Sequence, residues 1–199
     1  VALEAGIAFS NEGKARAGMG VDVADFDNSG QPGAAITNLD NEMIGLYHNE
    51  GNGLFVEEAP SSAVGRESLL RLAFATMFFD ADLDGRLDIL ASNGHVADDI
   101  AAVQHKVTYA QPPLLFRNLG NGKFEELGFM AGVAYPEAGR PLSGMGADAR
   151  DIDDDGKPFD PRTAPPPVLK GPLEERQERG YGIYIVKHMT SDFSYTRED

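Results

Sequence analysis

The sequence predicts a mainly β protein built from repeated four-stranded sheets, and three observations point to it. Two different motifs each occur twice, and the acidic loops between them are flanked by short apolar runs. Such repetition is the mark of architectures assembled from one supersecondary unit. Gly18-Met19-Gly20-Val21-Asp22-Val23-Ala24-Asp25-Phe26-Asp27 returns as Gly144-Met145-Gly146-Ala147-Asp148-Ala149-Arg150-Asp151-Ile152-Asp153. Leu46-Tyr47-His48-Asn49-Glu50-Gly51-Asn52-Gly53 returns as Leu115-Phe116-Arg117-Asn118-Leu119-Gly120-Asn121-Gly122. Asn-Gly between apolar runs signals a hairpin, because both central residues of a type I′ turn need positive φ. Each unit therefore reads as strand, acidic loop, strand, strand, Asn-Gly turn, strand. That is a sheet the size of one propeller blade. Residues 19–59 and 74–127 are expected to be mainly antiparallel strand, with Phe78, Ile89, Leu90, Leu115 and Phe116 in the core. Two blades and the opening of a third make an incomplete propeller over residues 1–150. A short α/β tail follows over 151–199.

The acidic loops come next. Asp80-Ala81-Asp82-Leu83-Asp84-Gly85-Arg86-Leu87-Asp88 places aspartates at positions 1, 3, 5 and 9, with Gly85 at position 6. A tight loop turns alternate side chains inward, glycine permits the sharp bend, and the Arg86 carbonyl can add an oxygen. That donor set suits a hard cation, and calcium tolerates irregular geometry better than magnesium does. An EF-hand is excluded on two grounds. Position 12 is Ala91 rather than a bidentate Glu, and the flanks are short and apolar like buried strands. The competing reading, a solvated acidic turn, requires four carboxylates to crowd together without compensation.

Composition narrows the function classes. The chain has 199 residues, 42% of them hydrophobic, enough for a core. Seventeen Lys and Arg against 32 Asp and Glu give a net charge of −15. That balance disfavours nucleic acid and anionic membrane surfaces and favours cations or basic partners. No apolar run is long enough to span a membrane, and the first residues lack the pattern of a signal peptide. With no cysteine, neither disulfides nor thiolate metal sites are available.

The aspartate loop, followed by Leu115-Phe116-Arg117-Asn118 and Gly120-Asn121-Gly122, resembles the FG-GAP/VCBS repeats of integrin-α-like β-propellers. The resemblance covers residues from about 10 to 156. It implies calcium between the first two strands of each blade and a role in adhesion or scaffolding outside the cytoplasm. The partner would be a protein or a glycan. Carried over residue by residue, the implied metal ligands are Asp80, Asp82, Asp84, Asp88 and the Arg86 carbonyl in the central loop. The first loop keeps Asp25 and Asp27 but has Ser29 at position 5 and Gly33 at position 9, which implies weaker affinity. The third has Asp151, Asp153 and Asp155 but Phe159 at position 9. Since this much chain cannot close a ring, exposed strand edges predict self-association.

Residues 94–113 form a longer excursion, with a short helix expected over Ala101-Ala102-Val103-Gln104-His105 and with His95 and His105 as loop and surface residues. Beyond Gly156 the texture changes to a proline cluster, Pro165-Pro166-Pro167, and a charged run. The run Gly180-Tyr181-Gly182-Ile183-Tyr184-Ile185-Val186 then fits a helix after a glycine turn. This tail, over about residues 148–199, resembles the C-terminal half of a histidine-kinase-like ATPase of the anti-sigma-factor serine kinase type. The likeness implies Asp154 on the adenine, and Gly156, Gly180 and Gly182 in the two glycine boxes. The upstream helix carrying the magnesium-binding Asn has no counterpart here. Tight Mg2+–ATP binding and kinase activity are therefore not expected.

The reading that results is a calcium-binding, non-catalytic repeat scaffold, extracellular or periplasmic. The alternative is a nucleotide-binding regulator in the cytoplasm. A hydrolase has least support: no nucleophile elbow and no His-Glu-x-x-His motif occur.

Overall fold

Among the described residues, alternating apolar residues and Asn-Gly turns form two four-stranded antiparallel meanders. The computed structural model describes residues 1–82, 84–135, 139, 141 and 143–147. The first sheet orders β1 (Gly20–Ala24), β2 (Gly33–Thr37), β3 (Gly45–Gly51) and β4 (Leu54–Glu57). The second orders β5 (Ala73–Phe79), β6 (Asp88–Asn93), β7 (Leu114–Gly120) and β8 (Lys123–Glu126). Both hairpin turns have the expected backbone: φ is +54° and +78° at Asn52 and Gly53, and +53° and +68° at Asn121 and Gly122. Each is preceded by a register shift, at Asn49/Gly51 and at Asn118/Gly120, so the bulge repeats with the motif.

The core lies between the sheets. Phe26, Ile44, Leu46, Ile89, Phe116 and Phe124 belong to one buried cluster, with Phe78 half-buried against it. Phe26 stacks on Phe78 with ring centroids 5.6 Å apart and meets Phe124 at 6.1 Å. Leu90 pairs with Leu115 and Ile89 with Phe116, so strand alternation sends the two pairs to opposite faces. Of the five expected core residues, Ile89 and Phe116 therefore fill the inter-sheet core. Leu115 is buried on the other face and Leu90 is half-buried there.

The sheets come closest where β1 crosses β5. A Cβ on Gly20 would lie 2.7 Å from the Phe74 carbonyl oxygen and 3.1 Å from the Ala75 Cα. Only glycine fits there, because backbone cannot swing aside as a side-chain tip can. One hydrogen bond marks the step from each unit to the next. Ala73 N–H donates to the Asn38 carbonyl at 3.2 Å, and Gly144 N–H donates to the Asn93 carbonyl at 2.9 Å. Ala73 and Gly144 each stand seven residues before the first aspartate of their own loop, Asp80 and Asp151. Gly144 thus makes the same bond to the second unit as Ala73 makes to the first.

Two features were not legible beforehand. A helix, α1 (Ala63–Ser68), follows a 3-10 turn at Ala59–Ser61; it is too short to show helical periodicity. The Ser62 hydroxyl caps it by accepting from Val64 N–H at 3.1 Å. Buried Ser68 ties it to the core, donating to the Val64 carbonyl at 2.6 Å and accepting from Ile44 N–H at 2.8 Å. The N-terminal segment also covers part of the outer strand: Phe55 N–H of β4 donates to the Ala5 carbonyl at 2.8 Å, and Arg16 pairs with buried Glu57. The short helix expected over 101–105 is present but shifted, as α2 (Ile100–Val103), with Gln104 already extended.

Phe26 carries the packing between the sheets, so Phe26→Ala should cost about 3–5 kcal/mol of unfolding free energy by removing a buried ring from a close-packed site. Chemical denaturation of the variant checks this. A loss under about 1 kcal/mol would mean that the sheets do not share this core.

Candidate metal centre

The loop between β5 and β6 folds around its own carboxylates. Asp80 accepts two backbone hydrogen bonds, from Asp84 N–H at 3.0 Å and Gly85 N–H at 2.8 Å. Gly85 has φ +82°, the left-handed conformation expected at position 6. Asp88, 1% exposed, spans the base: it accepts from Ala81 N–H at 3.0 Å and from Asn118 N–H at 2.7 Å. Ionised carboxylates bind amides more strongly than neutral acceptors do, and each oxygen keeps a further lone pair for a ligand.

Asp80, Asp82 and Asp88 each bring one carboxylate oxygen to within 4.8 Å of the others, a group that can hold a metal ion. Asp84, expected as a fourth ligand, stands outside this group. One of its oxygens accepts from Arg86 N–H at 2.9 Å, and the other pairs with the Arg86 guanidinium. The argument against a solvated acidic turn, that its carboxylates would crowd together without compensation, is weakened here. Arg117, on β7, sets its Nε 2.8 Å from Asp82 Oδ2 and its Nη2 4.0 Å from Asp84 Oδ2. Two guanidinium groups therefore offset the charge of the loop. Burial pushes the Asp88 carboxyl above the usual range, with Asp82 and Asp84 adding repulsion, and the amides of Asn118 and Ala81 only partly oppose this.

The first loop repeats the scaffold but not the site. Asp25 accepts from Ser29 N–H and Gly30 N–H, both at 2.9 Å, as Asp80 does from its two amides, and Gly30 has φ +82°. At position 9, a Cβ on Gly33 would come 2.4 Å from the Phe26 ring. Core packing thus takes the space that the Asp88 carboxylate occupies in the second loop. Asp27 pairs with His48, which holds the place of Arg117 in the repeat. Burial alone would raise the Asp27 carboxyl, but hydrogen bonds from Ser29 and the His48 contact hold it below its ordinary value. Burial raises neighbouring Glu58, with Asp27 and Glu50 adding to the effect against His48. Among the described residues, the one group of three carboxylates close enough to share an ion is the one in the second loop.

Asp151, Asp153 and Asp155 of the third loop, and Asp154, Gly156, Gly180 and Gly182 of the nucleotide boxes, lie outside the described residues. His105 is exposed, as expected. His95 is in a loop but not on the surface: it is 6% exposed, accepts from Ala97 N–H at 3.0 Å through Nδ1, and meets Asp40 Oδ1 at 3.1 Å through Nε2. That contact joins the β2–β3 loop to the β6–β7 loop, which sequence separation conceals.

The residues that sequence reasoning missed are Arg117, His48 and the asparagine after each. The repeat carried the signal, since aligning Leu46-Tyr47-His48-Asn49 with Leu115-Phe116-Arg117-Asn118 sets a basic side chain before Asn both times. Asn118, 1% exposed, donates to the carbonyls of Phe26 at 2.7 Å and Leu87 at 2.9 Å, and accepts from Gly120 N–H at 2.9 Å. Asn49 donates to the Pro32 carbonyl at 2.8 Å and accepts from Gly51 N–H at 2.9 Å, without the contact to the other sheet.

Asn118→Ala strands the buried Phe26 carbonyl and two part-buried groups, the Leu87 carbonyl and the Gly120 N–H, and should cost about 2–4 kcal/mol, whereas Asn49→Ala should cost about 1 kcal/mol. Equal losses in denaturant melts would refute the asymmetry. Since the folded-state pKa of Asp88 is raised, the stability it contributes in metal-free protein is full at acid pH and falls as pH rises through that value. Measured in chelator, the stability of the parent relative to Asp88→Asn should therefore decline from acid to neutral pH, and a rise would contradict the assignment. No family model matches the chain, and no curated protein matches it.

Proposed function

We propose that the chain is a calcium-binding β-propeller repeat unit of the FG-GAP/VCBS kind, serving as a non-catalytic scaffold for interaction. The observation that carries this reading is the all-oxygen group of Asp80, Asp82 and Asp88, with Asp80 and Asp88 held by backbone amides, on a loop between two strands. Carboxylate oxygens on an irregular loop match calcium, which takes six to eight oxygens at flexible angles, better than octahedral magnesium. They match soft or nitrogen-seeking metals poorly.

The fit extends to electrostatics. Buried Asp88 with its raised carboxyl is the kind of group that a dication stabilises, because the ion offsets both desolvation and repulsion from Asp82 and Asp84. The Arg86 carbonyl and water would complete the coordination. The repeated step from Asn38 to Ala73 and from Asn93 to Gly144 supports a propeller, in which each blade is set on the last by the same bond. A net charge of −15 suits a calcium-rich, extracellular or periplasmic setting and a protein or glycan partner that tolerates or bridges through cations. No helix among the described residues is long and apolar enough to cross a membrane.

Calcium should bind with a dissociation constant on the order of 10⁻⁴–10⁻³ M, the range of extracellular modules. At ten to a hundred times that constant, the folded state should gain roughly 1.4–2.7 kcal/mol, and chelator should remove the gain. Asp82 is exposed and makes no backbone hydrogen bond among the described residues, so Asp82→Asn tests the site with least damage to the loop. The variant should lose at least about tenfold in affinity, in line with the loss of one charged ligand. An unchanged calcium response in melting experiments would remove this site from consideration.

A further inference from the structure

We infer that Arg117 is a tethered competitor for the metal loop: its guanidinium occupies the loop carboxylates in the ion-free protein and sets how weakly the site binds calcium. The inference rests on the proposed reading of the loop as a calcium site and adds a residue that regulates it. Arg117 stands on β7 of the same sheet, outside the loop, with its side chain 42% exposed. Its ion-pair partners among the described residues are Asp82 and Asp84, at 2.8 Å and 4.0 Å. Asp82 belongs to the three-carboxylate group, and Asp84 is the loop carboxylate left outside it.

The register explains why the cation is always at hand. Arg117 pairs with Glu125 across the hairpin and precedes Asn118, whose backbone and side chain are bound to Asp88 and Leu87. The strand that secures the base of the loop therefore delivers the guanidinium to its mouth. In the first sheet the same position holds His48 on Asp27, so a basic side chain facing the third loop position is a property of the repeat. A dication entering among Asp80, Asp82 and Asp88 meets a fixed positive charge and must share or displace it. Arg86 is less suited to this role, since its Nε also donates to the Asn118 carbonyl at 2.8 Å and helps hold the fold.

The test is calorimetric titration of calcium chloride into the full chain and its Arg117→Gln and Arg117→Lys variants. Arg117→Gln should bind about five- to tenfold more tightly, the scale set by an exposed ion pair and a nearby like charge. Arg117→Lys keeps the charge and should stay closer to the parent. If the parent binds and Arg117→Gln binds equally or more weakly, the inference fails while the calcium reading stands. If neither binds, both fail. Melting gives an independent readout: Arg117→Gln should melt below the parent in chelator, and the gap should close in saturating calcium. A gap of the same size in both conditions would overturn the inference.

Discussion

The structure depends on one buried amide. Asn118 holds the Phe26 carbonyl of the first sheet, the Leu87 carbonyl of the acidic loop and the Gly120 N–H of its own turn, and its backbone N–H holds Asp88. Three segments, the first sheet's loop, the acidic loop with the start of β6, and the hairpin itself, thus meet at a residue with 1% exposure. A buried amide so fully used is rigid, because every alternative rotamer leaves several polar groups without a partner. The hairpin, the loop and the contact between sheets are coupled through it. The candidate metal centre is accordingly built from the same hydrogen bonds as the fold, and its most buried carboxylate, Asp88, accepts directly from the Asn118 backbone N–H.

The two units share this plan and then diverge at single positions. Both loops wrap their first aspartate around two amides beside a left-handed glycine, and both set a basic residue against the third position. At the ninth position one has Asp88 and the other has Gly33 with the Phe26 ring packed where a side chain would be. The same space cannot hold a core aromatic and a charged ligand. The first unit uses it for the core that both sheets share, and the second uses it for the site. This division explains why one loop gathers three carboxylates and its counterpart does not.

Charge compensation is local in a strongly acidic chain. Arg86 and Arg117 are placed on the carboxylates of one loop, His48 on the other, and Arg16 on buried Glu57. The part-exposed pairs of Arg86 and Arg117 add little stability, unlike the buried Arg16–Glu57 pair. The larger effect of the two arginines is on what else approaches the carboxylates, because a guanidinium tethered beside them stays charged.

The sequence by itself determined the local rules: two repeated units, the positive-φ Asn-Gly turns, the glycine bend at position 6 and the strands on either side of each loop. These are written in nearest-neighbour chemistry and period, which survive without knowledge of distant contacts. What only the tertiary structure decided are the pairings across long separations. Asp84 leaves the ligand group because Arg86 folds back on it, Arg117 reaches Asp82 from another strand, and His95 is buried against Asp40 across the boundary between sheets. Leu90 and Leu115 face away from the inter-sheet core because the pairing register assigns them the opposite side from Ile89 and Phe116. Register and inter-sheet packing are global properties, set by which faces can be buried together. A list of residue types along one chain does not contain them.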